Sequence, residues 1–532
     1  MKNKKGFTLI ELLAVIIILA VIALIATPIV LNVVDNARKS ANKDSAYGLL
    51  DSAKLYYMES LLDESKSLSG NLIYKINVSG RKPDSGTVYI NNSGETALAV
   101  VYDKVCYIKN YSDTDLTESD DISNCTVTVS KELYKDTVLN GADPELKDNL
   151  VPVVINNDGT VKKADIYSEW YNYISKTWAN AVILKDKTIN YNSGETIEVS
   201  NIDGYFVWIP RYKYQIFNLG NYTSAISSKP TTSTEQEIQI VFENKNTTKS
   251  AGNAVGEYLT HPAFTLGTEE LNGIWVAKYE TSGTTTDIDV LPNVTSLRSI
   301  NVKTMFDLAY NYDRSLDSHM MKNTEWGAVA YLSHSKYGIN SEIRINNSST
   351  FITGCAATVP ALNYVGKSQS DNTEGYYNGC ENEYNSDIGY LASATGNISG
   401  IYDMSGGAWE YMASYRSNTY GSSGFDASSI SNYDSKYFDV YPADSEITTY
   451  NKRILGDATG ELGPFYYYKD SDNGQRYHST WGADYAAFVE ASYPWFTRGG
   501  HYYDGAVAGS FAFNRDTGSA YSYISFRLVL AD

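Results

Sequence analysis

The stretch KKGFTLIELLAVIIILAVIALIATPIV, residues 4–30, decides the architecture. Lys4, Lys5 and Gly6 stand before Phe7, and from Phe7 to Val34 only Thr8, Glu11, Thr27, Pro28 and Asn32 interrupt the apolar run. At ~1.5 Å of rise per residue such a run crosses a hydrocarbon core of ~30 Å. The lysines on its N-terminal side keep that end cytoplasmic and send the remainder outward. No small-residue cleavage site of A-x-A type follows the run. The chain goes on instead into a segment where Val34, Ala37, Ala41, Leu49, Ala53 and Tyr56 recur at helical spacing, which predicts one helix over residues 7–62, a span followed by an amphipathic stem. Pro28 is expected to kink it, lacking an N–H and crowding the preceding turn. Glu11 stands out, because a carboxylate in a membrane helix costs ~3 kcal/mol unless it finds a partner.

GFTLIE, residues 6–11, resembles the type IV prepilin N-terminus. The resemblance implies that residues 1–6 are a leader, that a prepilin peptidase cuts between Gly6 and Phe7, and that the new amine of Phe7 is methylated. Glu11 would then meet the Phe7 ammonium of a neighbouring pilin subunit, two buried charges made tolerable as a pair. The partners it implies are the peptidase, other pilin subunits and the membrane. The location it implies is the bacterial cell membrane, single-pass, with the C-terminal domain extracellular, in a pilus where one assembles.

Lys and Arg number 43 against 62 Asp and Glu, a formal charge of −19 that argues against nucleic acid as a partner. It suits a self-repelling surface outside the cell. Tyr is abundant at 46, with many Gly, Ser and Asn, the residues that build antibody combining sites. The four cysteines fall as two local pairs, Cys106 with Cys125 and Cys355 with Cys380. An exported chain permits disulfides, and these local pairings are the expected ones, although four cysteines allow three connectivities. No C-x-x-C spacing suggests structural zinc.

Residues 63–130 read as a small β domain: NLIYKINVSG, GTVYINNSG, TALAVVYDKVCYIKN and CTVTVS place β-branched and aromatic residues between turn signals. The acidic SDTDLTESDD, residues 112–121, reads as a solvated excursion inside a disulfide loop. Residues 131–150, with their NG and DP turns, read as a linker, and Trp appears only from Trp170 onward, in a second and larger core over 151–532. There Gly204–Phe217 and Gly273–Gly283 read as strands, and Val302–Tyr312 and Asn323–Gly338 as helices. The fold class expected is α+β.

YDMSGGAWEY (402–411), RGGHYYDG (498–505) and SFRLVL (525–530), with WIPRYKY (208–214), GIWVAKYE (273–280) and the two helices, resemble the formylglycine-generating enzyme family, whose fold is C-type-lectin-like. The family's oxidases use a cysteine pair after the R-G-G segment. Residues 501–525 hold no cysteine, so the expectation is a non-catalytic domain. No cofactor is expected beyond calcium, which some relatives of this fold bind; Asn397, Asp403 and Glu410 are the candidate oxygen ligands, with Gly407 standing where the family has Asn. Ser333-x-x-Lys336 lacks the companion motifs of a serine acyltransferase and reads as chance.

Between residues 501 and 525, small or apolar residues alternate with His501, Tyr502, Tyr503, Asp504, Ser510, Asn514, Arg515, Asp516, Ser519, Tyr521, Ser522, Tyr523 and Ser525. Each of these side chains is reachable from an AAC codon by changing adenines alone. The pattern resembles the variable proteins of diversity-generating retroelements, which diversify the ligand face of a C-type-lectin-like fold. The function expected is adhesion or recognition of a surface ligand, protein or glycan, by a minor or tip pilin, with Tyr502, Tyr503, Tyr521 and Tyr523 as aromatic anchors. The rivals are a pseudopilin of a type II secretion or DNA-uptake machine and a formylglycine-generating-type enzyme.

Overall fold

The computed structural model describes residues 8–60, 68, 70–78, 80–91, 94–111, 113–127, 133–216, 238–254, 257–358, 376–445, 454–459, 467–469, 475–478 and 484–531. They form two compact units, Met1–Glu132 and Leu133–Asp532. The chain is α+β, a long apolar helix followed by a large sheet-rich domain.

In the first unit α1, Leu9–Ser60, is continuous through Pro28. Its N-terminus is closed by a capping box: the Thr8 N–H donates to Glu11 Oε2 at 2.9 Å, and the Glu11 N–H donates to Thr8 Oγ1 at 3.3 Å. From Leu9 to Val34 its large apolar side chains are exposed, a belt long and apolar enough to cross a membrane. The docked stripe begins later than the sequence pattern suggests. Asn42, Ala46, Leu49, Leu50 and Ala53 are buried, whereas Val34, Ala37 and Ala41 are exposed.

That stripe packs on an antiparallel sheet of β1 (Ser85–Ile90), β2 (Thr96–Tyr102), β3 (Val105–Lys109) and β4 (Thr117–Ser119), in that order. The acidic stretch is therefore no free excursion: Thr117–Ser119 pairs with β3, and Leu116 is buried. An apolar residue and a β-branched one outweigh the flanking charges there, which stay on the solvent side. Residues 71–78, read as a strand, are turns anchored by Leu72, whose N–H donates to Val88 O. Cys106 is bonded to Cys125.

Residues 133–150 belong to the core of the second unit and are not a linker. Leu139, Ala142 and Leu150 are buried in it, and Glu145 O accepts the Trp275 indole N–H at 2.9 Å. One sheet there holds β5 (Val151–Ile155), β6 (Val161–Lys163), β7 (Asn180–Leu184), β8 (Thr196–Ile197), β9 (Ile202–Pro210), β10 (Gly273–Ala277), β11 (His319–Met320) and β20 (Leu528–Leu530). Its order is β11-β20-β10-β9-β7-β5-β6-β8, so the last strand closes on the middle of the chain. The strand read over Gly204–Phe217 divides after Pro210. Tyr212–Gln215 joins a separate three-stranded sheet, and Phe217 lies outside the described residues.

A second sheet is built from β12 (Trp409–Arg416), β13 (Asp439–Tyr441), β14 (Tyr467–Lys469), β15 (Gln475–His478), β16 (Tyr485–Ala486), β17 (Trp495–Gly499) and β18 (Gly509–Asp516), with β19 (Ile524–Phe526) parallel to β12. Helix α2 spans Val302–Asn311, capped by the Asn301 side chain. Helix α3 spans Asn323–Ser333 and is buried along its whole length. The chain beyond α3 turns rather than continuing to Gly338 as a helix.

One ion pair ties these parts together. Arg527, fully buried, donates from Nε and Nη2 to the two Glu410 oxygens at 3.0 and 2.6 Å, and to the carbonyls of Ala277 and Tyr402 at 2.9 and 3.0 Å. Removing one partner of such a pair strands a charge in the core. Glu410→Ala is expected to destabilise the second unit by about 3–5 kcal/mol, and the paired Glu410→Leu/Arg527→Met change by much less. Chemical denaturation of the full chain in detergent measures both. Cys106→Ala/Cys125→Ala is expected to weaken the first unit by about 3 kcal/mol and to leave the second unit's transition in place.

Candidate functional site

The RGG turn builds the site. The β17–β18 pairing shifts register between Arg498 and Gly499, and Gly499 and Gly500 both take left-handed φ values, 87° and 88°. A Cβ on Gly500 would lie 2.5 Å from that of Ala508, so only glycine allows the chain to lift away here. The lifted loop is held twice: the His501 N–H donates to Asp504 Oδ2 at 2.8 Å, and the Tyr502 N–H donates to Gly407 O at 2.9 Å. Gly407, at φ 71°, gives the close approach that this contact needs; its Cβ would meet Glu280 Oε1 at 2.5 Å. Glu280 lies buried under this floor, its carboxyl pushed well up by burial and by Asp403 and Glu410.

On this support stands a continuous cluster of rings. His501 and Tyr502 centroids are 4.1 Å apart, Phe351 lies 5.0 Å from Tyr502, and Tyr376 lies 5.9 and 6.0 Å from Tyr502 and Tyr503. On the other side His501 is 5.7 Å from Tyr523, which stacks on Tyr521 at 5.3 Å. Edge-to-face and offset pairs at these separations attract beyond their area of burial. The Arg298 guanidinium lies over the Phe351 ring, 3.8 Å from its centroid. Tyr376, Tyr503 and Tyr523 remain 58%, 38% and 37% exposed, so solvent reaches the cluster.

The structure divides the residues singled out from the sequence. His501, Tyr502, Tyr503, Tyr521 and Tyr523 come together. Asp504 and Ser510 are buried, and Ser525 is too, so these positions are packing and turn residues rather than parts of an open face. Ser510 O takes the Trp326 indole N–H at 2.6 Å. Arg515 pairs with Glu490 at 2.9 Å, and the Asn514 side chain accepts the Arg515 N–H. Asp516 accepts the Tyr411 hydroxyl at 2.9 Å, and Ser519 accepts from Thr517 Oγ1. Ser510 and Ser525 lie in runs of consecutively buried strand residues, and Asp504 is tied into the turn by the His501 N–H, which explains the division.

Three contributors were not read from the sequence: Arg298, Phe351 and Tyr376. Tyr376 is held by its neighbour Tyr377, which bridges to Ser348, and by the Cys355–Cys380 disulfide on the same loop. The Tyr-Tyr pair just before Cys380 was the available signal. For Arg298 and Phe351 no local pattern existed.

The candidate calcium ligands are engaged within the chain. Asn397 Oδ1 accepts from the Ser399 N–H and hydroxyl, Glu410 is held by Arg527, and Asp403 accepts from Asn346 Nδ2 and the Gly354 N–H, each at 2.8 Å. Among the described residues no three His, Cys, Asp or Glu side chains stand together as a metal site. Ser333 is buried and bonded to Ala330 O, while Lys336 is exposed. Gly6 and Phe7 lie outside the described residues, and Glu11 serves as the capping carboxylate of α1.

Residues 1–27 match the family profile of the prokaryotic N-terminal methylation motif. No curated protein matches the chain. The matched motif is that of type IV prepilin-like proteins. It implies processing by a prepilin peptidase and assembly with other pilin subunits, and with the apolar helix it fits a membrane-anchored, pilin-like chain.

Burial and the Arg298 charge push the His501 imidazole down to about 4, and burial takes His334 to about 4 and His261 to about 3. Unfolded histidine titrates near ~6.5, so the unfolded chain takes up these protons first. The three groups therefore subtract stability as pH falls from about 6.5 toward 4. They subtract nothing above that window. Their ring-proton shifts are expected to stay flat from pH 8 to 5 in an NMR titration.

Proposed function

We propose that the chain is a membrane-anchored, pilin-like display protein whose second unit binds a surface ligand without catalysing a reaction. The ring cluster is the observation that carries this reading. Tyrosines offer broad contact area at low entropic cost and dominate recognition surfaces. Cys355 and Cys380 are bonded to each other and no described cysteine is free, which supports recognition over thiol-based oxidation. Within this reading the lectin-like architecture supplies the scaffold, and the positions open to diversification are the exposed rings of Tyr503 and Tyr523 and the half-buried ones of Tyr502 and Tyr521. A near-copy of the 501–525 coding segment beside a reverse transcriptase gene would support diversification, and its absence from the locus would remove that part of the reading.

Two experiments test the proposal. Mass spectrometry of the N-terminal peptide from the native host is expected to find a chain beginning at methylated Phe7. A mature chain that keeps Met1–Gly6 would overturn the pilin-like part. For recognition, the full chain in detergent is presented to arrays of defined glycans and purified matrix proteins. Binding is expected to fall at least tenfold in Tyr376→Ala/Tyr502→Ala, Tyr376 being exposed and Tyr502 half-buried beside it, with an unchanged melting profile confirming the fold. Binding that survives the double change unaltered places the ligand elsewhere.

A further inference from the structure

The ring cluster has one cation built into it. Arg298 is held by the carbonyls of Ser296, through Nε at 3.2 Å, and of Ser522, through Nη1. Its plane is fixed against Phe351. Among the described residues no carboxylate lies within ion-pairing distance of it. Glu280, whose charge acts on Arg298 from a distance, is buried below the floor, its carboxyl pushed up by burial. His501 beside it stays uncharged near neutral pH. In a chain of formal charge −19, this is an oriented guanidinium with no ion-pair partner among the described residues, laid on Phe351 beside Tyr502. A guanidinium with two N–H groups already committed keeps a planar edge for one more acceptor pair, the geometry that suits a carboxylate.

We propose that the ligand of this face is an acidic glycan, its carboxylate taken by Arg298 and the C–H faces of its sugar rings laid on the tyrosines. The inference rests on the recognition reading above and narrows it. Ring planes, hydroxyl edges and one guanidinium together fit a glycan. The large exposed side chains that residues 298, 351, 376–377, 501–503 and 521–523 bring to the face are all tyrosines, so the face is apolar in its planes and hydroxylated at its edges. No exposed aliphatic side chain from those segments supplies the dry centre of a protein interface. A polyhydroxylated ring with one apolar face matches that surface.

The test uses the full chain in detergent and isothermal titration with glucuronate- and sialate-terminated oligosaccharides, each beside its neutral glucose- or galactose-terminated counterpart. The acidic member of at least one pair is expected to bind tenfold or more tightly than the neutral one, and the preference is expected to shrink between 50 and 500 mM salt. Arg298→Gln is expected to abolish the preference, and Arg298→Lys to keep part of it, with an unchanged melting profile confirming the fold of both. Equal binding of acidic and neutral sugars, or a preference that survives Arg298→Gln, overturns the inference. If a ligand depends on Tyr376 and Tyr502 but not on Arg298, the acidic-glycan proposal fails and the recognition reading stands. If it depends on none of them, both fail.

Discussion

The buried Arg527–Glu410 pair is the constraint on which the second unit depends. A guanidinium with no water around it must place its five N–H donors on protein acceptors. Arg527 places four of them, on both oxygens of Glu410 and on the carbonyls of Ala277 and Tyr402. That one side chain thereby joins the last strands, the Trp409–Arg416 strand, the Gly273–Ala277 strand and the loop before Trp409. The binding face follows from it. Ile524–Phe526 runs parallel to Trp409–Tyr411, and the Trp409 N–H donates to Tyr523 O at 3.0 Å. The turn bearing Tyr521 and Tyr523 is thus fixed by main chain that the ion pair has already placed, and the rings add their own packing to it.

Beside the face, burial pushes the Glu280 carboxyl up and the His501 imidazole down to about 4. Arg298 has no ion-pair partner there among the described residues. An acidic chain has a self-repelling surface, and within it Arg298 is an oriented cation laid on an aromatic ring. The face is also stiff. Phe351, Tyr376 and the 501–503 loop come from three separate segments, one of them closed by a disulfide, so little ordering entropy remains to be lost on binding.

Helix α1 has two different tasks along its length. Its first half presents apolar side chains on all sides, with the entry capped by Thr8 and Glu11. Such a helix is stable only where lipid or other apolar helices surround it. Its second half presents one stripe, beginning at Asn42, to the four-stranded sheet. Asn42 is polar yet buried because its amide donates to Asp103, which also pairs with Arg81 at 2.6 Å. The helix therefore changes from an all-round apolar surface to a one-sided one without a break in its hydrogen-bond ladder.

The sequence by itself determined the N-terminal half of this account, since an uninterrupted apolar run after Lys4–Lys5–Gly6, with Glu11 inside it, reports its own environment through composition alone. It also pointed to α2, to strands of the first unit and the Gly273–Ala277 strand, to the local cysteine pairings as the expected ones among three, and to the tyrosines of the 501–523 loop, because each of these is written in local periodicity or spacing. Only the tertiary structure decided the rest. It moved residues 133–150 from a linker into the core, turned an acidic loop into an edge strand, and buried Asp504, Ser510 and Ser525, whose polar side chains read in sequence as surface positions. It also brought Arg298, Phe351 and Tyr376 to one face with Tyr502. The reason is physical: burial and long-range contact depend on which surfaces meet, and residues some two hundred positions apart carry no mark in either segment of the surface they will share.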